Sequence, residues 1–468
     1  MPREFEYKYL LVGIYTVVLF LDRLDLSIVN ITLPTLAKTF HASIQATQWV
    51  STAFLLALAI SIPISGWLGD RFGVKKIFML AIALYGLGSA LCAFAPNISV
   101  VIGLRFIQGL GGGMIIPVGM AMVYRAFPCS EYAHITTITF IPSLLAPAIA
   151  PFFGGLMLEL WGWQSVFLIV GPICLAAIVA SFFIIKEHKY KVGSLDWGGF
   201  VLTAAFLGLL LYAISTMGKD GLTTSGLILL GLALCLVSVL ILHERQSTHP
   251  LINLNFFKSH LFVQANLIQL AFQICHYGAV FLIALYLQVG IGFTAVTSGL
   301  VLGLQALGAM LSCRYSGKLF KQYGPSLPLT FGLLGLSVIT PLILYINDPS
   351  QAILGASMLF VRGIFVGLCG AAIQTSSIID FDKSFVGRVS AIFNATRQIS
   401  ISLGLCLSSL FVTYGLYQNE INLFSVDEST AYDVFHYAFY MLSVVAIFGV
   451  LVARTIDNQS VLDKLQSE

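Results

Sequence analysis

Charge is scarce in this chain. Only 10% of its 468 residues are Asp, Glu, Lys or Arg, 58% are hydrophobic, and the mean hydropathy is +0.93. Such a composition would force large apolar patches onto the surface of a protein dissolved in water, so lipid is expected to be its main solvent. The formal net charge is only +3 and no basic run is interleaved with aromatics, which excludes a nucleic-acid partner. Paired cysteines are also missing. The eight cysteines (92, 129, 174, 235, 275, 313, 369, 406) stand singly, mostly inside apolar runs, with no C-x-x-C and no histidine at metal spacing. They read as small core residues, and no metal is expected. There is no H-E-x-x-H, no G-x-S-x-G and no phosphate-binding glycine loop, so an enzyme is not expected. The start, MPREFEYKYLL, leads into an apolar stretch interrupted by Asp22, Arg23 and Asp25 with no small-residue cleavage site, so a cleaved signal peptide is not expected either.

What the chain has in abundance is apolar stretches of membrane-crossing length. They fall near 9–30, 49–69, 77–95, 98–123, 134–157 and 165–185, then 197–217 and 224–243, then 262–287, 296–316, 326–346, 351–377, 387–414 and 434–455. The even count of fourteen puts both termini on one side. With the termini inside, eighteen of the twenty-four basic residues fall in inner segments and only Lys38 and Lys219 in outer ones, while the outer stretch near 415–433 is acidic (Glu420, Asp427, Glu428, Asp433). That asymmetry is what retention of positive loops in the cytoplasm produces.

The first and last six spans echo each other. Gly66-Trp-Leu-Gly-Asp-Arg-Phe-Gly73 recurs as Gly317-Lys-Leu-Phe-Lys-Gln-Tyr-Gly324, and Arg105 and Arg362 each precede a glycine by four or five residues. The expected fold is an all-α integral membrane protein of two six-helix bundles related by a pseudo-two-fold axis, with two additional linking helices. The divisions expected are 1–190, 191–258 and 259–468. Repeats of this kind build transporters whose solute site lies between the halves.

Ionisable groups inside spans are costly and therefore point to function. Asp25 is the strongest candidate for a proton carrier, since a carboxylate in a low-dielectric site changes charge with modest changes of surroundings. Asp22 lies three residues earlier on the same helical face, and Arg23 could neutralise one of the two; a satisfied ion-pair cluster is the competing account. Arg105 needs a partner or a wet cavity, and Gln108 could bond it or a solute. His276 could titrate, bind solute or simply pack. Arg362 and Arg397 place positive charge in the second half, which leaves an anionic or zwitterionic solute open, with packing against backbone carbonyls as the alternative.

Residues 66–76, GWLGDRFGVKK, resemble the loop between the second and third spans of the major facilitator superfamily, with Val74 where arginine is usual. In that family Gly66, Asp70, Arg71 and Gly73 would act as a conformational latch. Residues 102–113, IGLRFIQGLGGG, resemble the fourth-span motif, which would assign Arg105 to proton coupling beside Asp25 and Asp22. Residues 141–155, IPSLLAPAIAPFFGG, resemble the antiporter motif of the fifth span, with Ala150 in place of a glycine; Pro147, Pro151, Gly154 and Gly155 would form its bend. Residues 24–34, LDLSIVNITLP, resemble the first-span motif of drug:proton antiporters and add Asn30 to the substrate-binding candidates Gln108, His276, Arg362 and Arg397. WGWQSVFLI, SLDWGGFVL and HERQSTHPLINLNFF, at 161–169, 194–202 and 243–257, resemble the fourteen-span EmrB/QacA-like branch.

The resemblance implies a proton-coupled antiporter in the inner membrane that expels lipophilic drugs or small metabolites by alternating access, with no cofactor beyond the proton gradient. A charge moved down 100 mV supplies about 2.3 kcal/mol, enough for roughly a fifty-fold solute gradient. A dedicated carrier of one metabolite such as a siderophore, peptide or organic acid is the alternative, and a non-transporting sensor a more distant one. For some relatives a periplasmic adaptor and outer-membrane channel complete the path, and that partnership stays open here.

Overall fold

A computed structural model describes residues 2–466 apart from 188, 191, 422–425 and 427–429. It leaves undescribed the side chains of residues 2–6, 30, 44, 45, 147, 148, 151, 152, 219, 220, 295, 296 and 466. Among the described residues the secondary structure is entirely helical. Lipid offers no partners for backbone N–H and C=O groups, and a helix satisfies them within one segment.

The first half of the chain holds α1 (Pro2–Thr39), α2 (Ile44–Phe72), α3 (Val74–Cys92), α4 (Ile98–Ala126), α5 (Tyr132–Trp161), the short α6 (Trp163–Leu168) and α7 (Val170–Ile184). A hairpin follows, α8 (Trp197–Asp220) and α9 (Thr224–Gln246). The second half holds α10 (His260–Leu285), α11 (Ala295–Tyr323), α12 (Ser326–Leu342), α13 (Ala352–Ser376), α14 (Val386–Gln418), α15 (Ala431–Arg454) and the short α16 (Asn458–Gln466). Side chains placed where N-caps are needed start several of them. Ser43 accepts from the Ala46 N–H, Asn97 from Val100, Asp196 from Gly199 and Ser259 from Phe262.

Eleven of the helical segments among the described residues are long and apolar enough to cross a membrane; α1, α5 and α11 are outside that set. In α1 the reason is visible, because Asp22, Arg23 and Asp25 sit mid-helix, and all three are buried inside the protein instead of facing lipid. The outer faces carry the apolar surface expected of a lipid-bathed protein: Phe94, Phe183, Leu300 and Ile353 are all more than two-thirds exposed. Two large buried clusters form the cores. One is built almost wholly from residues between Leu11 and Ile185, the other from residues between Leu261 and Val461.

The internal repeat seen in the sequence reappears as a repeat of neighbours. Helix α2 packs on α4, α3 on α4 and on α7, and α1 on α5; α11 packs on α13, α12 on α13 and on α15, and α10 on α14. Helix α8 fits between α2 and α14 and joins the two sets, with Trp49 stacked on Tyr212 and Ser409 hydrogen-bonded to the Gly218 carbonyl. Asp427 and Glu428, part of the expected acidic outer stretch, lie outside the described residues.

Candidate functional site

In the middle of α1 the structure separates two carboxylates that the sequence places side by side. Asp25 is paired. Its Oδ2 accepts from Arg105 Nη1 at 2.7 Å, and the same nitrogen donates to Gln108 Oε1 at 2.8 Å. Arg105 Nε also reaches the Val50 carbonyl at 3.4 Å, and its guanidinium lies 4.3 Å over the Phe54 ring. The turn of α4 that carries Arg105 brings the cation directly onto Asp25, so this arginine has the partner that a guanidinium inside a span needs. Asp22 is the less satisfied group. It is fully buried, neither oxygen has a hydrogen-bond partner, and its nearest cation is Arg23, at 3.8 Å.

Around this pair the second half of the chain contributes Tyr277 and His276 from α10 and Arg397 from α14. Tyr277 and Arg397 lie close enough to interact, with Arg23 near both. His276 stacks on Phe272 with the rings nearly parallel, and its Nδ1 has no partner. All three are half-buried where the two halves meet. Arg362, expected as a possible solute ligand, is completely buried and fully occupied. It donates to Gln305 Oε1 at 2.6 Å, to the Cys275 carbonyl at 3.1 Å and to Thr340 Oγ1 at 3.2 Å. It mirrors Arg105 in the other half, each arginine holding a glutamine and a carbonyl. No acidic residue pairs with it among the described residues, so Gln305 takes the place that Asp25 and Gln108 share.

The loop at 66–76 closes one end of the molecule. Asp70 Oδ1 accepts from Arg125 Nη2 at 2.7 Å, and Arg388 Nε stands 3.9 Å from Asp70 Oδ2. Arg125 then crosses to the second half, donating to the Lys383 carbonyl at 2.8 Å and the Ser384 carbonyl at 3.4 Å. Gly66 is needed for close approach, since a Cβ there would lie 2.7 Å from the Gly387 carbonyl oxygen. Gly73 has φ +108°, a conformation that glycine adopts without strain, and the Glu187 side chain fills the space a Cβ would need. Arg71 is exposed and makes no ion pair among the described residues.

Arg125 and Arg388 do the pairing instead. They come from the end of α4 and the start of α14, distant positions that no local motif links to Asp70. At the same end Gln374 donates to Tyr124, which bonds Thr136, and Thr137 donates to the Cys313 carbonyl at 3.3 Å. The hydrogen bonds described here between α1–α7 and α10–α16 side chains that do not involve the middle of α1 thus gather at the Asp70 end.

The fifth-span segment remains helical through positions 147 and 151; the side chains of Pro147, Pro151 and Asn30 lie outside the described residues. Gly154 lets α5 approach α1, where a Cβ would meet Ile28 at 3.1 Å, while Gly155 faces open space.

A helical membrane protein with two repeated bundles, ionisable residues buried between them and a charged clasp across one end is a solute transporter in class. The sequence profile described as Major Facilitator Superfamily matches residues 15–405, and the chain belongs to that family: it is a multi-pass membrane transporter and not an enzyme. It is 28% identical over 443 residues to a Klebsiella pneumoniae protein named "Putative multidrug resistance protein MdtD", covering 94% of this chain and 93% of the relative. An Escherichia coli protein of the same name is 27% identical over 449 residues, with the same coverage. Among solved structures, the proton:xylose symporter XylE superposes with a TM-score of 0.67 at 12% identity, covering 99% of both chains. The human organic anion transporter MFSD10 gives 0.64 at 14% identity, covering 95% of this chain and 99% of the other. At such identities these two bear on the fold alone.

Proposed function

We propose that the chain is a proton-coupled exporter of lipophilic drugs or small metabolites, working as an antiporter by alternating access. The observation that carries this is the buried Asp25–Arg105 pair beside the unbonded Asp22, at the level where the two halves face each other. A proton on Asp25 would cancel the charge that holds Arg105, freeing the guanidinium to rearrange; one on Asp22 would remove a buried charge that has no hydrogen-bond donor. Either event changes the balance between two arrangements of the halves. Export of drugs is supported by the name carried by the relatives in Klebsiella and Escherichia.

In this reading the chain is a fourteen-span protein of the EmrB/QacA-like branch, since α1, α5 and α11 have membrane-crossing length and pack as the other spans do. Both termini are cytoplasmic and the membrane is the inner one. The bundles are 1–190 and 259–468, with 191–258 added between them. Asp70, Gly66 and Gly73, with Arg125 and Arg388, hold the cytoplasmic end shut, and the helix through Pro147, Pro151 and Gly154 bends as the halves rock. The proton gradient replaces any cofactor, and an adaptor with an outer-membrane channel would extend the path in a two-membrane envelope.

A second reading, a dedicated carrier of an organic acid or another anionic metabolite, is favoured by one observation. Among the described residues, Arg23, Arg105, Arg362 and Arg397 lie within the bundles against Asp22 and Asp25.

The test uses sealed proteoliposomes with an acid interior, in which lumenal pH is followed while lipophilic cations and organic anions are added. Export by antiport makes a substrate collapse the gradient with wild type and not with Asp25→Asn. If no solute does so, or the variant responds equally, proton coupling through Asp25 is wrong.

A further inference from the structure

Beside the clasp, between α2, α8, α9 and α14, lies a cavity of about 360 Å³. Its walls are apolar, with Pro63, Leu207, Leu240, Ile252, Ile392 and Ile399 among them, and its ionisable lining groups among the described residues are Glu244 and Arg388. Glu244 is 4% exposed. One of its oxygens accepts from the Ile252 N–H at 3.3 Å; the other, Oε2, has no partner. A buried carboxylate oxygen left unbonded is costly, and each such atom asks for an explanation.

The neighbouring charges do not supply one. His243 is turned away to Asp196, at 2.8 and 3.0 Å from its two oxygens. Thr203, another lining residue, donates its hydroxyl to the Gly199 carbonyl. Arg388 stands at the other side of the cavity with its side chain about a quarter exposed, 3.9 Å from Asp70 and with its guanidinium 5.1 Å over Phe385. Arg388 Nε also lacks a hydrogen-bond partner, but that cation has Asp70 at 3.9 Å, whereas among the described residues no cation stands within ion-pair distance of Glu244. The carboxylate is the group in this greasy space without a counter-charge.

We propose that this cavity binds a lipophilic amine, its ammonium on Glu244 Oε2 and its hydrocarbon chain among Leu207, Leu240, Ile252 and Ile392. A fatty acid would set a second carboxylate near Glu244, and a neutral alcohol would leave the charge uncompensated. The site lies outside the passage between the halves that holds Asp22 and Arg397, and it stands whatever solute the chain carries. Pro63 belongs to the first half and Ile392 and Ile399 to the second, so the cavity has its complete wall while α2 and α14 stay together at the Asp70 end. An occupant that binds this arrangement alone holds that end closed.

The test uses the full chain in phosphatidylcholine nanodiscs with radiolabelled decylamine as the probe. Wild type binds it saturably. Glu244→Gln keeps an acceptor for the Ile252 N–H, so its thermal unfolding stays near wild type while affinity falls about ten-fold or more. Ala395→Phe, which fills the cavity and leaves Glu244 in place, abolishes binding, and decanoate and decanol do not compete. Equal binding by wild type and both variants, or displacement by decanoate as effective as that by unlabelled decylamine, overturns the proposal. Neither outcome depends on transport, so an absence of proton coupling leaves this result readable. For the conformational part, a Thr137→Cys variant oxidised against Cys313 cross-links faster with decylamine present and not when Glu244→Gln is added; an unchanged rate refutes that part.

Discussion

Replacing Asp25 by Asn removes one charge and almost no volume from the most deeply buried close ion pair among the described residues. Arg105 then keeps Gln108 Oε1 at 2.8 Å, the Val50 carbonyl at 3.4 Å and the Phe54 face at 4.3 Å, but no counter-charge. Both side chains are at most 1% exposed, so solvent does not screen the loss. Breaking a buried pair by removing one partner costs about 3–5 kcal/mol. The acceptors that survive put Asp25→Asn near the lower end, about 3 kcal/mol, and Asp25→Leu, which offers none, near about 5 kcal/mol. Adding Arg105→Gln to Asp25→Asn removes the stranded cation, so the double variant is less destabilised than the sum of the singles by about 2–3 kcal/mol. Unfolding by SDS in mixed micelles measures wild type, the three single variants Asp25→Asn, Asp25→Leu and Arg105→Gln, and the double variant. Single variants within about 0.5 kcal/mol of wild type, or effects that simply add, would refute the account of Asp25 as the counter-charge of Arg105.

Other parts of the structure give equally direct expectations. Gly66→Ala sets a methyl 2.7 Å from the Gly387 carbonyl oxygen, so the Asp70 end cannot close; transport is lost while the protein still reaches the membrane, and normal transport would show that the close approach is dispensable. Thr137→Cys stands opposite native Cys313, and oxidation ties α5 to α11 at that end. Transport should stop on oxidation and return with reductant; unaffected transport means this end does not need to open. Asp196 caps α8 and binds His243 of α9. Burial pushes its carboxyl up, but the Gly199 N–H and the His243 ring outweigh that and hold it below the usual carboxylate range. A carboxylate depressed in the folded state contributes stability above its unfolded pKa and loses it as pH falls through the folded one. Asp196→Ala should therefore cost about 1 kcal/mol at neutral pH and nothing in strong acid, measured by thermal unfolding across pH; an equal cost at both would sink the assignment.

Much of this molecule is determined by composition and short motifs. A chain with 10% charge and a run of apolar stretches about twenty residues long reads as a helical membrane protein, because lipid tolerates that surface and a helix of that length crosses with its backbone satisfied, where a barrel strand needs only about ten. The recurrence of 66–73 at 317–324 made the duplicated architecture legible, and GWLGDRFGVKK made the family legible, because backbone geometry ties glycine spacing and Asp70 to one place. Helix neighbours and partners were beyond its reach. Asp22 and Asp25 differ by three positions, yet one meets Arg105 from α4 and the other meets no donor. Arg362 reads in sequence as a candidate solute ligand, and Gln305 and the Cys275 carbonyl enclose it. Asp70 is paired through Arg125 and Arg388, and Glu244 is left with an idle oxygen, only because helices far apart in the chain pack side by side. Local sequence determines which groups enter the membrane; the packing of distant helices decides which of those charges are neutralised, and that balance is what a carrier can shift.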